Sequence, residues 1–444
     1  MNRILPFDKP HDEIFAGERA EQIPYHRMYG KQYCLPAAVR YSEKEIEQLM
    51  YASEMIDNIY LSTLRFAQRY LPDAFLTQQL GVPASLVPAA RMEVPGHGVS
   101  RQDFILAPSG KIKCIENNTD TPTGIPEASY LARELIESHT CGLQATSVKM
   151  RLHIAHAFRQ LLEHYKSIGL GGRVVFTCYE WHVEDRRNTE YLMEIVQEMG
   201  YDACYVPLSE LEIVRGEGLY SDGERISVLY RLYPLEYLVN DEAEDTEDRI
   251  GEWMLELVEE GKLGLINPAQ SILTQSKGFM ALIWSLYERH EEASDLLGEP
   301  LYTDQQLEAI QQYLLPTYYN PALFIQQGQA YVAKGYWGRE GKGTSLFDEA
   351  GQLTEAEWGQ SEEDSREDIQ NYYGNQPLIY QLRCQMENVQ VHTEDGPFSG
   401  YLLTGVYVIG GHYSGLLPRV GGRITGDMAY YCPAAFPIYM KEEH

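Results

Sequence analysis

The spacing of apolar positions changes along the chain, and each change marks a different element. Between residues 41 and 71, Ile46, Leu49, Met50, Ile56, Ile59, Tyr60 and Leu64 recur at three- and four-residue steps. That period predicts one long amphipathic helix with its stripe in the core. Ser42 and Glu45 stand at capping-box spacing at its start. In "RQDFILAPSGKIKCIENN" (101–118) the period drops to two. Strands over 103–106 and 111–115 are expected to flank a turn at 107–110, where Pro108 and Gly110 occupy positions that a type I turn favours. A helical pattern returns at Pro126, with Ala128, Leu131, Ala132, Leu135 and Ile136 on one face.

The middle of the chain reads differently. "GGRVVFTCYE" (171–180) predicts a short buried strand, "NTEYLMEIVQEMG" (188–200) a helix closed by Gly200, and "YDACYVPL" (201–208) another strand. Strand, helix and strand at this spacing form a small open α/β unit. No glycine fingerprint opens the helix, which argues against a dinucleotide site. From about 265 the pattern changes again. Residues 271–290 read as one helix carrying Lys277. Residues 322–351 read as strand, turn, strand, glycine-rich loop and return, and 377–391 and 399–426 add further strands. The expected class is therefore mixed, α+β with an α/β part, divided into segments 1–150, 151–264 and 265–444.

The 444 residues suffice for two or three packed units. Acidic residues outnumber basic ones, 65 to 36, for a net charge of −29. Such a field repels phosphate backbones and argues against nucleic-acid binding. It suits a cationic partner, a polyamine among the candidates. The acid runs at 240–249 and 361–368 read as solvated loops or helix starts. Seven cysteines without CxxC spacing suit reduced thiols rather than zinc. The N-terminus lacks a signal-peptide core, and no apolar run nears the roughly 18 residues of a membrane helix. A cytoplasmic protein without membrane insertion is expected. Oligomeric state is not legible.

Three groups of residues could carry chemistry. "ENNTDTPTG" (116–124) is rich in turn formers, yet Glu116 and Asn118 are also the hard oxygen ligands that Mg²⁺ takes. A two-residue loop at Pro108-Ser109 would put Asp103, Cys114 and Glu116 on one face of the hairpin, with Arg101 and Asn118 nearby. A three-residue loop with a bulge at Gly110 would turn Glu116 to the other face. "KGYWGREGKGTS" (334–345) offers Gly338, Gly341 and Gly343 beside Lys334, Arg339 and Lys342. It reads as a phosphate cradle or as a solvated hairpin tip, and it is not a Walker A loop. Lys277 and Arg419 are dispersed basic residues that matter if the fold gathers them.

These pieces fall in a recognisable order. "RQDF" (101–104), "ENNTDT" (116–121), "YRLYPLEYL" (230–238), "TQSKGFMALIWSL" (274–286), "KGYWGREG" (334–341), "IYQLRC" (379–384), "VYVIGGHYSGLLPR" (406–419) and "ITG" (424–426) follow one another. From about residue 25 to the end, the sequence resembles the synthetase part of the glutathionylspermidine synthase family, a branch of the ATP-grasp ligases. The resemblance implies a permuted ATP-grasp fold with an inserted open α/β domain. It implies a ligase that joins a small-molecule or peptide carboxylate to an amine through an acyl phosphate, using ATP and Mg²⁺. By the same resemblance, Asp103, Glu116 and Asn118 are Mg²⁺ ligands, and Lys277 and Lys334 hold ATP phosphates. Arg339, Glu340 and Gly341 belong to the loop closing over ATP, and Gln381, Leu382, Arg383 and Cys384 to the segment beside adenine. Arg101 and Arg419 stand near the transferred phosphoryl group. Thr121 and Thr123 take the place of hydroxyls that bind the peptide substrate, with Glu184 and Asp185 as an acidic pair near that pocket. Gly335, Ser276 and Asn117 depart from the family's proline, asparagine and aromatic residue. No context for the amidase of the bifunctional members surrounds Cys34. A non-catalytic ATP-binding protein with the same fold is the alternative expectation.

Overall fold

The computed structural model describes residues 2–243, 245–358 and 372–438; the acid run at 361–368 lies outside them. The helix Glu43–Tyr70 begins at a complete capping box. The Ser42 hydroxyl accepts from the Glu45 amide at 3.3 Å, and the Glu45 carboxylate accepts from the Ser42 amide at 2.8 Å. Ile46, Leu49, Ile56, Ile59, Tyr60 and Leu64 are buried as their period requires. Met50 is not. It lies 41 % exposed, outside the stripe. The buried face shares one core with Phe104, Cys114, Val406 and Leu416.

Those four residues belong to an antiparallel sheet. Its order is Tyr430–Tyr431, His412–Gly421, Gly396–Ile409, Val99–Leu106 and Ile112–Asn118, with Asn388–Thr393 also paired to Gly396–Ile409. The early hairpin is thus completed by strands from the far end of the chain. Successive side chains on a strand point to opposite faces. Gln102 donates to the Ser53 carbonyl of the long helix at 3.0 Å and Phe104 packs in its core, so Arg101, Asp103 and Ile105 face the other way, into a cavity. A second antiparallel sheet runs Thr317–Tyr318, Leu378–Leu382, Tyr331–Gly335, Thr344–Phe347 and Leu353–Glu357. The open α/β sheet is drawn from residues 173–266. Arg173–Cys178, Ala203–Tyr205, Glu224–Leu232 and Gly264–Ile266 are its parallel strands, and Glu212–Val214 and Gly218–Ser221 an antiparallel edge.

Four expectations need correction. The hairpin strands are longer than predicted, so Glu116 and Asn118 lie within the strand Ile112–Asn118 rather than beyond it. The helix predicted from 188 starts at Val183, which puts Glu184 and Asp185 in its first turn. Acidic side chains there complement the positive end of the helix dipole. The helix predicted over 271–290 is broken into Ser271–Gln275 and Gly278–Glu288. Ser276 turns the chain, its hydroxyl donating to the Leu80 carbonyl at 2.6 Å, while the Lys277 amide donates to the Tyr336 carbonyl at 3.2 Å. Finally, Ala322–Gln327 is a helix, not a strand, ended by Gly328 in the left-handed region (φ 60°).

Candidate active site

The hairpin register decides whether two carboxylates can meet. The Ala107 amide donates to the Lys111 carbonyl at 2.8 Å, so the loop has three residues and Gly110 takes a left-handed φ of 80°. Leu106, Ile105 and Phe104 pair with Ile112, Lys113 and Cys114. On that register alone, Asp103 would oppose Ile115 and Glu116 would face the core. A bulge at Ile115 restores the alternation, because Asp103 pairs with Glu116 and Arg101 with Asn118. Directly opposed residues share a face. All four polar side chains therefore stand on the cavity wall. Gly405 opposes Asp103 on the next strand. A Cβ there would come within 2.9 Å of Arg101 Cδ and 3.2 Å of Asp103 Oδ1, so only glycine leaves these two room.

The chain's own cations meet these carboxylates. Arg101 Nε donates to Asp103 Oδ1 and Arg419 Nη2 to Asp103 Oδ2, each at 3.1 Å. Burial alone would raise the Asp103 carboxyl. The two guanidiniums outweigh it and hold Asp103 below the ordinary carboxylate range. The helix break aims Lys277 at Glu116, with Nζ 3.0 Å from Oε1. Lys334 donates to the Ile115 carbonyl and to Gln381 Oε1, both at 2.9 Å. Burial pushes Lys334 down to about 8, an effect that nearby Glu116 partly offsets.

The glycine loop is not a solvated tip. Arg339 donates to Glu236 Oε1 at 2.7 Å and to Thr121 Oγ1 at 2.9 Å, and the Gly338 carbonyl accepts from Lys277. Gly341 (φ 75°) packs so close that a Cβ would lie 2.7 Å from Ile424 Cγ2. Across the cavity, burial pushes Glu184 up to about 8, reinforced by Glu127 and Asp185. Asp185 Oδ1 lies 3.2 Å from His182 Nδ1, and this bond raises His182 to about 9.

All the sequence-predicted site residues but one line a single cavity of about 1090 Å³: Asp103, Glu116 and Asn118; Arg101 and Arg419; Lys334, Arg339, Glu340 and Gly341; Gln381 to Cys384; Thr121, Thr123, Glu184 and Asp185. Lys277 is the exception. It is buried behind the wall and reaches the site through Glu116.

Sequence reasoning missed the scaffold beneath the site. Asp120 and Arg231 form an ion pair at 2.5 Å with no exposure on either side chain. Ser271 Oγ and the Leu235 amide also donate to Asp120, at 3.0 and 3.1 Å. Gln275 Oε1 accepts from the Thr119 and Asp120 amides. Glu127 is fully buried and raised by burial, with the Tyr25 and Tyr33 hydroxyls donating to it. Asp120, Arg231 and Gln275 all lie inside the ordered segments, and that shared membership was the available signal.

Asp103, Glu116 and Asn118 present oxygen donors on one wall, the donor type a hard divalent cation takes. The Asn118 amide nitrogen donates to the Arg101 carbonyl at 3.4 Å, leaving Oδ1 as the donor atom. Among the described residues, no three His, Cys, Asp or Glu side chains gather for a metal. The set thus fits Mg²⁺ with an amide and external oxygens, as Mg²⁺ prefers, rather than a closed protein cage.

Fold and site together define a mixed α/β protein whose interior cavity joins opposed carboxylates, buried lysines and an acidic helix start. Residues 16–437 match the glutathionylspermidine synthase preATP-grasp family, and the chain belongs to it. A protein of Haemophilus influenzae named as a candidate acid–amine ligase is 22% identical over 333 residues, covering 73% of this chain and 71% of the relative. A glutathione synthetase-like effector of Globodera pallida, solved in its apo form, superposes with a TM-score of 0.51 at 9% identity. That match covers 89% of this chain and 88% of the effector, and indicates a shared fold. Among the described residues, no helix is long and apolar enough to cross a membrane.

Proposed function

We propose that this protein is an ATP- and Mg²⁺-dependent carboxylate–amine ligase on a permuted ATP-grasp fold, with the open α/β segment 151–264 inserted between 1–150 and 265–444. Family membership and the acid–amine name of the relative support the reaction class. The observation that carries the reading is the hairpin face, where a bulge at Ile115 sets Glu116 opposite Asp103 within reach of buried lysine.

Asp103, Glu116 and Asn118 would hold Mg²⁺, which neutralises phosphate charge when bound. Lys334 holds the nucleotide phosphates, Lys277 supports Glu116 from behind the cavity wall, and Arg339, Glu340 and Gly341 close the loop over the phosphates. Gln381, Leu382, Arg383 and Cys384 line the base. The substrate carboxylate oxygen attacks the γ-phosphorus, the bond to the bridging oxygen breaks, and ADP leaves with the electron pair. Arg101 and Arg419 supply positive charge beside this transfer, which depends mainly on positioning and electrostatics. The amine nitrogen then attacks the acyl-phosphate carbonyl, the carbon–oxygen bond to phosphate breaks, and nitrogen loses a proton. Glu184 and Asp185 draw the amine substrate, a small amine or polyamine, into the cavity as its ammonium, which gives up a proton to solvent before its nitrogen attacks, and Thr121 and Thr123 orient the acid. Seven unpaired cysteines suit a cytoplasmic setting.

A heavy-oxygen label in the substrate carboxylate tests the route. The proposal predicts that one labelled oxygen appears in the released phosphate. Amide formation with unlabelled phosphate would contradict it. Mg-ATP binding without ADP formation, across a full panel of acids and amines, would favour a non-catalytic nucleotide-binding protein instead.

A further inference from the structure

A second cavity, of about 440 Å³, lies behind the hairpin sheet. The strand Val99–Leu106 separates it from the first, since Ser100 lines the second cavity and Arg101 the first. Its key residue is Asp57, on the helix Glu43–Tyr70. Asp57 is 4% exposed and lines this cavity. No described residue bonds its side chain, and burial together with Glu54 pushes its carboxyl up to about 7. A buried carboxylate without a partner is costly unless something compensates it. The cavity keeps that carboxylate open: Gly411 brings no side chain, and a Cβ there would stand 3.9 Å from Asp57 Oδ2. Leu61, Pro95 and Val408 supply apolar wall, and Glu163 adds a second acid at the exposed edge. His97 also lines the cavity, with both ring nitrogens unbonded.

We propose that this cavity binds a small organic amine as its ammonium ion, with Asp57 as counter-ion and the apolar wall around its hydrocarbon stem. The volume suits a small organic molecule rather than a bare ion. Among the described residues, no three His, Cys, Asp or Glu side chains assemble for a metal. A chain of net charge −29 attracts cations in general. The site is independent of the ligase reading, because it lies on the other face of the sheet.

Calorimetric titration of the full chain with butylamine tests it in a Glu184→Gln background, which weakens the hold of an amine in the first cavity, with and without Asp57→Asn. Butylamine should bind the single variant, and binding should weaken by at least about tenfold when Asp57→Asn is added. Two results would overturn the site: no binding to Glu184→Gln, which would place any amine bound by the wild type in the first cavity, or unchanged affinity when Asp57→Asn is added. Should Asp57→Asn fail to fold, Leu61→Phe, which narrows the cavity, is expected to weaken butylamine by the same margin. Undiminished affinity there would equally refute the proposal.

Discussion

Asp120 shows how a residue type can be visible while its partner is not. In "ENNTDTPTG" it looks like one more turn former, yet it is the anchor of a buried ion pair with Arg231. Nothing local distinguishes an acid that caps a turn from one that meets an arginine 111 positions away in sequence. Breaking such a pair strands a charge in the interior. Arg231→Met should therefore cost about 3–5 kcal/mol of stability, read by chemical denaturation. Asp120→Asn combined with Arg231→Met should recover part of it. Glu184 carries a second residue-level prediction. Burial raises its folded-state carboxyl from the reference 4.5 to about 8. A raised group contributes stability below its unfolded value and loses it as pH climbs through the folded one. Wild type should therefore lose stability relative to Glu184→Gln as pH rises between those values. Parallel pH curves would refute the assignment.

At the scale of elements, the long helix and its cap were legible because period and capping chemistry are local. The hairpin turn was legible too, while its register was not. Gly110 permits either loop, and a bulge at Ile115 has no signature in "KIKCIENN". The break at Ser276 was hidden for a similar reason. The apolar positions on either side of "TQSKG" (274–278) keep a helical reading across it, and the partners that turn the chain, Leu80 and Tyr336, come from elsewhere. Both irregularities serve the site, since one brings Glu116 beside Asp103 and the other aims Lys277 at it. The strand geometry gives its own test. Gly405→Ala would crowd Arg101 and Asp103 from the neighbouring strand. Turnover should fall by about 10²-fold while far-ultraviolet circular dichroism stays unchanged, because displacements near an ångström suffice for such losses.

For the whole molecule, the order of the short segments carried more information than any one of them. Their convergence was out of reach, since the hairpin sheet combines strands near residue 100 with strands near residue 400. Long-range pairing leaves no local trace. The acidic net charge could exclude partners but could not show that the site's carboxylates are already matched by Arg101, Arg419 and Lys277. A ligand that binds only the folded chain stabilises it. Mg-ATP at one hundred times its dissociation constant should add about 2.7 kcal/mol, raising Tm, with little effect in Lys334→Met. If the Asp103–Glu116 face supports ATP-dependent amide formation, ADP release by wild type and Glu116→Ala, followed across a panel of carboxylates and amines, measures it directly. Wild type should form ADP and amide in equal amounts for some pair, with a loss of at least about 10²-fold in the variant. Equal ADP release from both proteins would show that this face does not carry the reaction.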